Sequence, residues 1–177
     1  RGPRRSISFM TTNSNSKRTL WAIGISSAAV FMVTLDNLVV STALPTIRRD
    51  LHASLQSLEW TVNAYTLTFA VLLLTGAALG DRFGRRRLLA IGLSLFTVAS
   101  AAAALAPSAT ALVVARAAQG IGGAIVMPLT LTVISASVSK KRRAQAIGIW
   151  GAVAGLAVAL GPVVGGAIVD GISWHWI

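Results

Sequence analysis

Five uninterrupted apolar runs, each long enough to cross a bilayer, leave this chain few ways to fold. They cover residues 20–44, 60–80, 88–106, 109–138 and 144–169. A hydrocarbon core of roughly 30 Å needs about 20 apolar residues at 1.5 Å rise each. A large soluble core could raise the apolar fraction but would not produce runs of this length. Only 12% of residues are charged, about half the share of a soluble domain. The expected fold class is therefore all-α, a polytopic transmembrane helical bundle. Pro45 and Pro107 are expected to end the first and third runs. The first run is too long, and carries an aspartate, to read as a cleaved signal peptide. Trp174-His175-Trp176-Ile177 follows the fifth run, and paired tryptophans suit a membrane–water interface. A sixth helix is expected to start near residue 174, which makes this the front part of a longer protein.

Loop charge gives the orientation. The net charge is +11, from 16 Lys and Arg against five acids. Thirteen of the cations lie on one side: five before the first run, four between runs two and three, and four between runs four and five. Arg48 and Arg49 lie on the other side, and Arg116 lies inside a run. That alternation follows the positive-inside rule and predicts a multi-pass protein of the cell membrane with a cytoplasmic N-terminus. The cations set topology and meet anionic headgroups, so no nucleic-acid partner is inferred.

Residues 1–19 are polar and basic, and their composition predicts a disordered cytoplasmic tail, with Met10 a candidate start. Residues 20–177 then form a partial transmembrane bundle in which short loops force neighbouring spans antiparallel. The longest connection, residues 46–59, carries no soluble domain. The chain has no cysteine, which excludes disulfides, thiol catalysis and Cys-based metal sites. His52 and His175 are too isolated to form a metal cluster. No nucleophile–base pair or paired carboxylates are present, so a membrane enzyme is not expected.

Two ionisable residues fall inside spans. Asp36 lies eight residues before the end of the first run, and Arg116 seven residues after the start of the fourth. Both therefore sit roughly 10–12 Å below the outer boundary. At matching depth they could meet across a helix contact. A mid-membrane charge costs a few kcal/mol or more unless paired or wetted, so both should face the bundle interior. One reading is a structural ion pair. The other is a protonatable switch, in which Asp36 exchanges a proton under the influence of Arg116.

Arg116, Gln119, Gly120 and Gly123 recur at i, i+3, i+4 and i+7 and so share a helix face. A face that is polar at one end and bare further in suits a cavity wall or a close helix contact. The fifth run carries Gly148, Gly151, Gly155, Gly161, Gly165 and Gly166 with Pro162 among them. Small residues at this spacing permit close helix approach, and the proline should kink the helix. Between runs two and three stands Gly80-Asp81-Arg82-Phe83-Gly84-Arg85-Arg86-Arg87. Its second glycine permits a tight reversal, and Asp81 lies among cations it can accept from.

Together these segments resemble the major facilitator superfamily, and within it the drug:proton antiporters, nearest the fourteen-span multidrug exporters. Asp81, Arg82, Gly84, Arg85 and Arg86 resemble the loop motif whose charges latch two domains together in the outward-facing state. The glycine that motif carries four residues earlier is Ala77 here, beside Gly76. Arg116 with Gln119, Gly120 and Gly123 resembles the fourth-helix motif, whose arginine is implicated in proton coupling. Gly151, Gly155, Gly161, Pro162, Gly165 and Gly166 are similar to the fifth-helix signature that separates antiporters from symporters, with Ala157 at one commonly glycine position. Leu35-Asp36 followed by Ala43-Leu44-Pro45 resembles the first-helix motif of the fourteen-span exporters, with Leu38 and Ser41 in place of the usual Thr and Asn.

The resemblance implies a major facilitator fold of two bundles that rock around a midplane cavity, of which this chain supplies five helices and the beginning of a sixth. It implies a secondary transporter that exports a hydrophobic, amphipathic or cationic compound in exchange for protons. Such a machine needs no cofactor and draws on the proton gradient. Its partners would be the bilayer, the substrate, protons and the C-terminal helices of the same protein. Five helices alone would not complete a transport path. The rivals are a metabolite:proton symporter of the same superfamily and a non-transporting membrane module.

Overall fold

The computed structural model describes residues 11–177. Five helices account for nearly all of it: α1 (Thr11–Asp50), α2 (Leu55–Phe83), α3 (Arg85–Ala104), α4 (Ala109–Ser137) and α5 (Arg143–Gly171). All five are long and apolar enough to cross a membrane. Helices are what such runs must form, because lipid offers the backbone no partners of its own.

Helix ends depart from the expected boundaries. Pro45 does not stop α1, which runs on to Asp50. Proline removes one backbone donor, a loss a spanning helix tolerates when packing holds the next turn. Ala43 and Ile47 provide that packing, being fully buried in a cluster with Leu58, Leu112 and Trp174. The loop expected over residues 46–59 shrinks to residues 51–54, closed by the hydroxyl of Ser54 accepting from Ser57 N–H. His52 takes the one positive φ among non-glycine residues described, at 48°. At the other end of α1, residues 11–19 are helical where a disordered tail was expected, and residues 1–10 lie outside the described residues, Met10 among them. Extending an existing helix gains one hydrogen bond per residue without a new nucleus. Thr19 anchors this stretch by donating to the Ser137 carbonyl at 3.0 Å.

α4 is the hub, packed on α2, α3 and α1, whereas α5 packs chiefly on α1. Missing side chains make these approaches possible. A Cβ on Gly76 would lie 2.6 Å from the Ala124 carbonyl, and one on Gly122 would lie 2.9 Å from Phe96 N. Thr68 adds a hydrogen bond across α2 and α4, its Oγ1 donating to Ala117 O at 3.0 Å. Trp150 Nε1 donates to Thr130 Oγ1 at 3.1 Å and ties α5 to α4. Leu67, Val71 and Leu74 stand exposed on one face of α2, a spacing and chemistry suited to lipid.

Gly84 alone separates α2 from α3, with φ at 95°. A left-handed residue permits the reversal there, and glycine adopts it without steric cost. Where a sixth helix was expected, residues Trp174–Trp176 form a single 3-10 turn. Trp174 folds back onto the bundle and donates from Nε1 to Asp50 Oδ2 at 2.8 Å. Trp176 is exposed. The paired tryptophans therefore divide their roles, one in the core and one at the surface.

Candidate functional site

Asp36 and Arg116 meet, as their matched depths predict. Arg116 is 0% exposed, and its Nη1 donates to Asp36 Oδ2 at 2.5 Å. The Asp36 side chain keeps 11% exposure. Gln119 joins both partners. Its Oε1 accepts from Arg116 Nη1 at 2.9 Å, and its Nε2 donates to Asp36 Oδ1 at 3.0 Å. The same Nε2 donates to Ser100 Oγ at 2.7 Å, which brings in α3. One turn of α4 thus presents a cation and an amide to an acid on α1. The low dielectric strengthens each bond and makes any loss costly.

Three members of this cluster escape a reading of spacing alone. Asn37 Oδ1 lies 3.5 Å from Arg116 Nη2, a long contact. Ser100 closes the α3 side. Tyr65 on α2 lies beneath the guanidinium, its ring centroid 4.4 Å from Arg116 Cζ. Depth puts two of them near the level of the pair without showing which way they face: Ser100 precedes the end of the third run by six residues, and Tyr65 follows the start of the second by five.

Gly120 and Gly123 resolve the choice between cavity wall and helix contact in favour of contact. A Cβ on Gly120 would stand 2.5 Å from the Tyr65 carbonyl oxygen, and one on Gly123 would stand 3.0 Å from the Tyr65 hydroxyl. Both glycines face α2. A cavity of about 30 Å³ lies against the pair, lined by Asp36, Arg116, Val40, Leu112, Trp174 and His175 among others. That volume suffices for a water molecule.

The loop residues form a separate, exposed group. Arg85 donates from Nε at 3.0 Å and from Nη2 at 2.9 Å, both to Asp81 Oδ1. Arg82 lies over the Phe83 ring. Exposed pairs of this kind contribute about 1 kcal/mol or less. Arg86 lines a surface cavity with Thr19, Ser137 and Ser139.

The α5 glycines divide in two. A Cβ on Gly161 would lie 2.6 Å from Leu38 Cβ, and one on Gly165 would lie 3.1 Å from Thr42 Cβ. Gly148, Gly151, Gly155 and Gly166 have open space at that position. α5 runs unbroken through Pro162.

Residues 26–177 match the Major Facilitator Superfamily. The chain belongs to that superfamily. Named relatives within it include the multidrug resistance protein Stp of Mycobacterium tuberculosis (strain CDC 1551 / Oshkosh), 44% identical over 159 residues, which are 89% of this chain and 29% of Stp. The tetracenomycin C resistance and export protein of Streptomyces glaucescens is 42% identical over 157 residues, 89% of this chain and 29% of that protein. The multidrug efflux pump LfrA of Mycolicibacterium smegmatis is 42% identical over 167 residues, 94% of this chain and 33% of LfrA. Against these relatives the chain spans about a third of a major facilitator protein or less. A solved bacterial homologue of the human lysosomal transporter Spinster, inward-facing and unoccupied, superposes with a TM-score of 0.71 at 18% identity, over 89% of this chain and 37% of that one. That likeness concerns the major facilitator fold.

Proposed function

We propose that the protein carrying this chain is a proton-coupled exporter of hydrophobic, amphipathic or cationic compounds in the cell membrane. The observation that carries this reading is the buried Asp36–Arg116 pair held through Gln119 across α1 and α4. The names of the relatives, which speak of drug resistance and export, support the substrate class. A proton arriving at Asp36 removes its charge and frees Arg116 from an ionic partner. The two helices then lose one electrostatic reason to stay in this arrangement, and the inward–outward equilibrium shifts. In this reading the N-terminus and the basic loops face the cytoplasm. Asp81, Arg82, Gly84, Arg85 and Arg86 serve as a conformational latch toward the C-terminal helices of the same protein. Gly161 and Gly165 seat α5 on α1, and Gly151, Gly155 and Gly166 leave α5 a smooth open face about Pro162 for movement against those helices.

The test is Asp36→Asn in the full-length protein, assayed as proton-driven dye efflux in everted vesicles. The amide preserves shape and removes the charge. Efflux is expected to be abolished while the amount in the membrane holds. Efflux equal to that of the unmodified protein refutes the coupling role.

A further inference from the structure

Arg116 is under-served by its carboxylate. The pair is not a fork: one nitrogen, Nη1, meets one carboxylate oxygen, and the other oxygen accepts from Gln119. Arg116 Nη2 reaches only Asn37, at 3.5 Å, and Nε is buried without a hydrogen-bond partner. A fully buried guanidinium with five donors requires more than this. What covers its flat face is the Tyr65 ring, 4.4 Å away and almost fully buried.

We infer that Tyr65 is a second counter-partner of Arg116, a positioning residue whose ring face holds the cation when Asp36 is neutral. A ring within about 6 Å of a cation attracts it through the ring quadrupole, most strongly where water is absent. The surroundings seat the ring with care. Gly120 lets the Tyr65 backbone lie against α4, and Gly123 leaves room for the phenol end. Phe69 stacks on the same ring with centroids 5.9 Å apart. The two glycines of the fourth-helix motif therefore do more than bring helices together. They place an aromatic face under the arginine. Without that face, a proton on Asp36 would leave a buried cation with neutral oxygens only, those of Asp36, Gln119 and Asn37, and the neutral state of the acid would be costly to visit.

The inference rests on the proposed protonation of Asp36, and its test is kept independent of transport. Tyr65 is replaced in the full-length protein by phenylalanine carrying increasing numbers of ring fluorines, which weaken the ring quadrupole with little change of size. Thermal melting in detergent is measured with Asp36 intact, with Asp36→Asn and with Arg116→Gln. Each added fluorine should lower the melting temperature, about twofold more steeply with Asp36→Asn, where the ring shares the cation only with neutral oxygens. The dependence should vanish with Arg116→Gln. Equal slopes with and without the carboxylate overturn the inference. So does a slope that persists after Arg116→Gln, a comparison that still decides if Asp36→Asn fails to fold. Should Asp36→Asn retain full efflux, the export mechanism fails while the melting slopes still report on Tyr65.

Discussion

Gln119 is the residue on which the polar cluster turns, since it touches Asp36, Arg116 and Ser100 at once. Gln119→Leu keeps the volume and removes all three bonds. The Asp36 oxygen and the Ser100 hydroxyl then lose this partner inside the bundle. Destabilisation of about 1–2 kcal/mol is expected, read as a lower melting temperature of the full-length protein in detergent. An unchanged melting temperature would mean that water replaces the amide completely. The ion pair itself was legible in the sequence because depth is a matter of counting residues from a span end. Tyr65, Asn37 and Ser100 were not, because their part depends on helix rotation about the long axis. Counting fixes height in the membrane and leaves azimuth open.

Helix contacts separate residues that look alike in the sequence. Gly161 and Gly151 belong to the same glycine-rich run of α5, yet a methyl at the first collides with Leu38 and one at the second meets nothing within 4 Å. Gly161→Ala should therefore push α5 away from α1, at a cost of about 1–3 kcal/mol as overpacking. Gly151→Ala should hold or slightly raise the melting temperature, because alanine loses less backbone entropy on folding. It should affect transport only if that open face meets a moving partner. Melting and efflux measured on both variants distinguish a packing glycine from a clearance glycine. Existence and order of the five helices followed from hydropathy. Their ends did not, because Pro45 can be carried through by buried neighbours, and a tryptophan beside a bilayer can fold inward when it finds an acceptor such as Asp50.

Across the bundle, two apolar clusters lie on either side of the polar layer. One gathers Val33, Tyr65, Leu89, Phe96 and Leu129, and the other gathers Ala43, Ile47, Leu58, Leu112 and Trp174. Trp174 closes the second cluster and ties the end of α1 to the segment after α5. Trp174→Phe removes the bond to Asp50 and part of the ring volume and should cost about 1–2 kcal/mol. Trp174→Ala should cost about 3–5 kcal/mol through the cavity left behind. Chemical or thermal unfolding of the two variants checks the ranking, and equal losses would place the stabilisation in the hydrogen bond instead of the packing.

The placement of the two charges also has a consequence for synthesis. Asp36 leaves the ribosome 80 residues before Arg116, an interval of about 4–16 s at ordinary elongation rates. For that time α1 has an intramembrane acid and no cation to meet it. Releasing α1 into lipid alone would strand the acid, so the helix has reason to wait at the insertion site until α4 arrives. The bond that the proposed mechanism opens and closes is thus one that the nascent chain must first be held open to make.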